Sequence, residues 1–337
     1  MSLTKIDFFN GYFNLLEKEG VASVILHTYD HYPETIHSDV DYCVSDDDLP
    51  KILSFVYSHC KASGWRMVQI MQHEVKAFFC ICVSEDDPSV YIELDVCSDY
   101  MREGKRLIES SEILKYRKHI EGKSFYTPST GLEFCYGLWK SIAKRKQQDA
   151  MLEKLNAIYS ENPSECESYL RLLCLNKKNE NLRWESDQQE IYDCLVSEYK
   201  SKKLVSALAR LKKSYRRVSQ PTGLLLNLET QVDYDRLERD SVFQDSMKYC
   251  FRSVSELSHQ KTKGKINIVK MVLKSTLVIS VLSKSKFCML RYLLNKLGAY
   301  LLIKRGGKNE VVIILDYLEN RLVKRWNLLD QFGTEKN

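Results

Sequence analysis

The chain has 337 residues, of which 44% are hydrophobic and 28% charged, and a formal net charge of +5. The length suits two domains and the composition is that of an ordinary soluble globular protein, while so small a net charge gives no argument for nucleic acid as a partner. Its eleven cysteines form no Cys-x-x-Cys pair and have no matching histidine pair, which argues against structural zinc. With an odd count and no signal peptide, they read as buried thiols in a reducing cytosol, and a cytoplasmic location is expected. The best apolar run, "IVKMVLKSTLVISVL", is short and interrupted by lysines, so no bilayer-spanning segment is expected.

Ile6, Phe9, Tyr12, Phe13, Leu15 and Leu16 recur at close to helical spacing and predict a first helix, stopped at Gly20. "VASVILH" and "DVDYCV" predict strands. "DDDLPKILSFVYSHCKASG" predicts a helix with acids at its favourable end and a stop at Gly64. Three more strands follow, "WRMVQIMQH", "AFFCICV" and "SVYIELDVC", the last two joined by the turn-like "SEDDP". The order helix, strand, strand, helix and three strands predicts an α/β unit on a mixed sheet over residues 1–128.

From Ser129 the character changes to consecutive helices, beginning with "STGLEFCYGLWKSIAKRK" and "DAMLEKLNAIY", which define a helical region over 129–217. Its last segment, "YKSKKLVSALARLKKSYRR", carries Leu204, Leu208 and Leu211 on one side and lysines and arginines on the other. Such a stripe is expected to face the core. The alternative is docking to an anionic membrane or to nucleic acid, the latter weaker because only Tyr199 and Tyr215 could stack on bases. "QPTGLLLNL" then breaks the helix and starts an apolar strand, and "NEVVIILDYL" predicts a second, so residues 218–337 read as a small α/β or helical accessory region.

The chemistry concentrates in "SDVDYCV". Asp39 and Asp41 share one face of a strand, where aspartate is disfavoured and two like charges repel unless a cation lies between them. "YIELDVC" adds Glu93 and Asp95 in the same alternation, with Asp95 the better candidate because Leu94 and Val96 flank it. Three carboxylates on neighbouring strands can hold two divalent cations, Mg²⁺ or Mn²⁺, for phosphoryl or nucleotidyl transfer. Asp39 and Asp41 would hold the metals that grip a nucleoside triphosphate. Asp95 would bind the second metal or accept the proton of the attacking hydroxyl. Asp-x-Asp alone is a weak motif, and most such pairs are surface loop residues. His27, His37 and His73 lie near the expected pocket and rank below the acids.

This pattern resembles the nucleotidyltransferase superfamily, with its Asp-x-Asp strand and a third carboxylate on a later strand. "VILHTYDHYPETIHSDVDYCV", "GWRMVQIMQHE", "YIELDVCSDYMREGK" and "TPSTGLEFCYGLWKSIAK" resemble a bacterial subgroup from polysaccharide gene clusters, over roughly residues 1–160. Members of that subgroup often carry this domain ahead of a thymidylate-kinase-like P-loop domain. The resemblance implies Asp39, Asp41 and Asp95 as catalytic and metal-binding residues, and Thr28 and Ser38 as contacts to the nucleotide. It departs from the pattern at Thr28, where the subgroup tends to have glycine. It also implies that "RRVSQPTGLLLNL" leads into a kinase strand, but no glycine and no Gly-Lys-Ser/Thr follows in Glu229–Asp233. Downstream, "GAYLLIKRGGKNEVVIILDYLENRL" resembles a kinase segment ending in a strand with Asp316 and Tyr317.

The implied function is a Mg²⁺-dependent transfer of a nucleotidyl or related phosphoryl group from a nucleoside triphosphate or sugar nucleotide to a hydroxyl acceptor, in surface polysaccharide synthesis. The alternatives are a non-catalytic or partner-dependent binding protein of the same fold, and a toxin or defence transferase acting on protein or RNA. The expected architecture is a nucleotidyltransferase-like domain, a helical domain and a degenerate kinase-like remnant.

Overall fold

Thr4 opens the first helix with a capping box: its hydroxyl accepts from the Asp7 amide, and the Asp7 carboxylate accepts from the Thr4 amide. The computed structural model describes residues 4–144, 149–175, 179, 181–201, 203–228, 237, 239–251, 253–256, 272, 276–280, 288–303 and 310–328. It is a mixed α/β structure. The first unit contains α1 (Lys5–Lys18), β1 (Ser23–Ile25), β2 (Val40–Val44), α2 (Leu49–Ser63), β3 (Trp65–Glu74), β4 (Ala77–Ser84) and β5 (Tyr91–Cys97). Gly64 ends α2 in the left-handed conformation, at φ +71°, as its position in the sequence predicts.

The strands form one sheet in the order β1-β2-β5-β4-β3, with β2 and β5 parallel and the other neighbours antiparallel. Alternation along the strands sends Tyr42, Leu94 and Val96 to one face, where Phe8, Phe9, Tyr12 and Phe13 of α1 bury them together with α2. Asp41, Cys43, Asp95 and Cys97 therefore point to the other face.

That second face has two covers. Between residues 100 and 128 come elements the sequence did not announce: a hairpin of β6 (Tyr100–Arg102) and β7 (Lys105–Ile108), the short helix α3 (Ser110–Lys115), and paired β8 (Arg117–His119) and β9 (Tyr126–Pro128). The helices α4 (Thr130–Lys144), α5 (Asp149–Glu161), α6 (Pro163–Tyr169) and α7 (Trp184–Ser201) follow. Leu132, Phe134 and Trp139 of α4 share a core with Val24 of β1 and Cys43 of β2. The next helix, α8 (Lys203–Ser219), does not bury its leucine stripe as expected. Its inner side carries Ala209, which packs on Gly104, and Arg216, whose Nη1 donates to the Glu74 carbonyl at 3.3 Å.

The other cover is the C-terminal unit: β10 (Leu224–Leu228), α9 (Ser241–Cys250), β11 (Ser253–Glu256), β12 (Thr276–Ser280), α10 (Cys288–Lys296), β13 (Tyr300–Ile303) and α11 (Glu310–Trp326). Its four strands are all parallel, in the order β11-β12-β10-β13. Of the expected strand "NEVVIILDYL", the described residues 310–318 are instead the start of α11. Buried Val311, Ile314, Leu315, Leu318 and Leu322 recur at helical spacing, which decides against a strand once the segment is seen to run through Trp326. Asp316 and Tyr317 accordingly lie on a helix. Glu229–Asp233, where the kinase loop is missing from the sequence, fall outside the described residues.

Helix α11 ties the two sheets together. Ile314, Leu315 and Leu318 pack with Leu226 of β10 and with Val68, Ile81 and Val83 of β3 and β4. Lys61 pairs with Glu319 at 2.9 Å, and Arg66 pairs with Asp316. Arg321 is buried, and its guanidinium donates to the carbonyls of Gly223 at 3.2 Å, Gly298 at 3.1 Å and Thr222 at 3.4 Å. Arg321→Met is expected to cost about 3 kcal/mol, because the buried carbonyls lose their donors. A fall in the denaturant midpoint of the full chain checks it; an unchanged midpoint would mean that these carbonyls find other donors.

The ten described cysteines are free and most are buried. No helix among the described residues is long and apolar enough to cross a membrane.

Candidate functional site

Parallel pairing of β2 with β5 sets Asp41 directly opposite Asp95. Asp39 precedes β2 by one residue and returns to the same face by the two-residue period. One carboxylate oxygen from each of the three lies within 4.8 Å of the others. They line a cleft of about 200 Å³ between the sheet, the β6 hairpin and α4, together with His73, Tyr100, Arg102, Tyr136, Lys140 and Lys144.

The three acids are not electrically alike. Burial, and then the charges of Asp41 and Asp39, push the Asp95 carboxyl well above its ordinary value. Burial and Asp41 likewise raise Asp39. Burial works in the same direction on Asp41, but the hydrogen bond and charge of His27, with Lys140 and Lys144, outweigh it and hold that carboxyl low. Lys140 Nζ is 3.9 Å from Asp41 Oδ2, and His27 Nε2 contacts both groups. One ring nitrogen can donate to Asp41 or accept from Lys140 but cannot do both at once. Burial lowers Lys140 to about 8 in spite of Asp41. His73 Nε2 is 3.5 Å from Asp95 Oδ1, and burial, followed by Lys213 and Arg102, lowers its pKa to about 4.

A divalent cation fits this donor set. Burial and the neighbouring carboxylates disfavour the charged forms of Asp39 and Asp95, a penalty a cation would offset, and hard carboxylate oxygens are the ligands Mg²⁺ and Mn²⁺ prefer. Asp39, Asp41 and Asp95 would hold it.

The structure treats the other expected residues differently. Thr28 and Ser38 are exposed and outside the cleft lining, but both approach the Tyr32 hydroxyl. Thr28 Oγ1 donates to the carbonyl of His27 at 2.7 Å, and Ser38 Oγ to that of Asp39 at 3.4 Å. His37 is exposed and does not line the cleft. Glu93 shares the face but not the three-acid cluster; burial and Asp39 raise its carboxyl.

Thr28 itself sits at φ +58°. A β-branched residue in the left-handed region is strained by about 1–2 kcal/mol, and glycine is not. Thr28→Gly is therefore expected to raise the unfolding midpoint, by up to about 1 kcal/mol after the extra chain entropy of glycine. Thermal melts of the two proteins check this; a lower midpoint would show that the threonine hydroxyl contributes more than the strain costs.

Sequence reading passed over Arg102, Tyr136, Lys140 and Lys144 as site residues. A signal existed for three of them: Tyr136, Lys140 and Lys144 stand four apart, in one column of an otherwise apolar helix.

Comparison of the chain with models of protein families, with curated proteins and with solved structures finds no match in any of the three.

Proposed function

We propose that the chain is a divalent-metal-dependent nucleotidyltransferase-type enzyme, which moves a nucleotidyl or related phosphoryl group onto a hydroxyl acceptor. The reading rests on one observation above all: the Asp41–Asp95 register pair, completed by Asp39, opens into a cleft that also carries Arg102, Lys140 and Lys144. Carboxylates suit the cations of such a reaction and fixed ammonium and guanidinium groups suit its phosphates.

In the simplest form, the acceptor oxygen bonds to the α-phosphorus while the bridge to the β-phosphate breaks and pyrophosphate leaves. Mg²⁺ bound by the three aspartates would supply charge neutralisation at those oxygens. Lys140 and Arg102 hold phosphate oxygens, and Asp95 takes the hydroxyl proton unless it is wholly engaged as a ligand. The sequence resemblance supports surface polysaccharide synthesis as the setting. The parallel C-terminal sheet supports reading residues 218–337 as a kinase-like region.

Calorimetry with Mg²⁺ or Mn²⁺ tests the reading against nucleoside triphosphates and sugar nucleotides. The wild type is expected to bind one of them only with metal, and Asp39→Ala/Asp41→Ala to lose that binding. A folded wild type that binds none of them would overturn it. A second reading, of a binding protein without turnover, is favoured by the way His27 and Lys140 already neutralise Asp41. Metal-dependent binding with no product from any acceptor would select it.

A further inference from the structure

Helix α8 is amphipathic in the wrong direction. Leu204, Leu208, Leu211, Tyr215 and Val218 repeat at helical spacing to make one continuous stripe. In a helix packed on a core that stripe would be buried. Here Leu204 is 74% exposed, Leu211 67% and Tyr215 74%. The side turned to the protein carries buried Ser206 with half-buried Ala209, Lys213 and Arg216. The stripe therefore faces outward along the whole helix.

Charge narrows what can cover it. From Lys203 to Ser219 there is no acidic residue; Lys212 is exposed beside the stripe, and Arg210, also exposed, lies at the edge of the inner side, where its Nε donates to the Ser206 carbonyl. A second copy of the helix would bring like charges together with no carboxylate to pair them. A nucleic acid would use the cations and leave the leucines in contact with phosphate or water. An anionic bilayer surface meets both needs: the acyl boundary accepts the leucines, headgroups pair with Lys and Arg, and tyrosine is at home in the interface.

We infer that α8 is an interfacial membrane helix, which docks the protein reversibly on anionic lipid. The inner side of the same helix lies beside the cleft. Lys213, Arg216 and Glu103, with Arg210 and Lys212 at its rim, line a second, smaller hollow that shares His73 with the three-acid cleft. A molecule seated on α8 thus carries that cleft close to the headgroups.

The test is co-sedimentation of the full chain with vesicles of phosphatidylcholine alone and of phosphatidylcholine with phosphatidylserine. Wild type is expected to sediment with the anionic vesicles only, and less as salt is raised. Leu208→Glu/Leu211→Glu and Arg210→Glu/Lys212→Glu are each expected to weaken partition by more than about tenfold. All four side chains are exposed, and circular dichroism confirms that the variants fold. Three results would overturn the inference: a wild type that stays in the supernatant, partition unaffected by both variants, or a wild-type dimer that binds no vesicles and that Leu208→Glu/Leu211→Glu splits.

Discussion

Asparagine in place of Asp95 is expected to make the metal-free protein more stable and, on the proposed function, inactive. The carboxyl is buried beside Asp41 and Asp39, and its proton affinity is raised well above the ordinary carboxylate value. A group with a raised folded-state pKa binds more protons folded than unfolded. Its ionisation therefore costs stability as pH rises from the ordinary value of about 3.9 through the raised one, and the cost is full above that. Asparagine keeps the shape without the charge, so at neutral pH Asp95→Asn is expected to gain about 1–2 kcal/mol and a few degrees in thermal midpoint. Mg²⁺ or Mn²⁺ is expected to raise the wild-type midpoint and to leave the variant's nearly unchanged. Loss of a ligand that supplies several kcal/mol of charge stabilisation in the transition state would lower turnover on the order of a thousandfold. Thermal melts with and without metal separate the two effects. A metal-free midpoint that falls in the variant would mean that fixed partners, not repulsion, set the state of Asp95.

His73 works in the opposite sense in an overlapping range. Its depressed value, about 4, means that the unfolded chain takes up a proton that the folded one refuses. Stability is thus lost from this group as pH falls from the ordinary histidine value of about 6.5 toward 4. In wild type the protonation of Asp95 and Asp39 as pH falls offsets part of that loss, and in Asp95→Asn less offset remains. The variant's advantage should therefore shrink on acidification.

The acids were legible in the sequence because a carboxylate inside a strand is expensive and so stands out. The alternation of β2 and β5 also assigned them to the same kind of face. What no local pattern carries is the pairing of β2 with β5, more than fifty residues apart, which sets Asp41 against Asp95. Lys140 carried only the column it shares with Tyr136 and Lys144, which was passed over for a related reason: a lysine in an amphipathic helix reads as solvated until the sheet it covers is known. α11 was misread because a short apolar run fits both periods, and only its length decides between them. In α8 the stripe was plain and its direction was not. Periodicity shows that one side is apolar, but not which side meets the rest of the chain, where Arg216 reaches the Glu74 carbonyl and Ala209 meets Gly104.

Lys140 should also set the alkaline limb of activity. Its ammonium lies in the cleft 3.9 Å from Asp41, and burial lowers its pKa to about 8 against that carboxylate's pull. The charged form, which would hold phosphate in the proposed reaction, dominates below that value and is lost above it. In a profile of kcat/KM against pH, activity is expected to fall through an apparent pKa near 8 in the free enzyme. Divalent metal on Asp41 moves that limb to lower pH, since a second cation further disfavours the ammonium. Lys140→Met should abolish the limb and lower kcat/KM on the order of a hundredfold. Lys140→Arg should restore part of the activity and keep it flat to higher pH, because guanidinium does not deprotonate there. A purely structural lysine predicts instead that all three proteins share one profile. Stability gives an independent sign: between about 8 and the ordinary 10.5 the unfolded chain holds the proton and the folded chain does not. Wild type should therefore gain stability across that range relative to Lys140→Met.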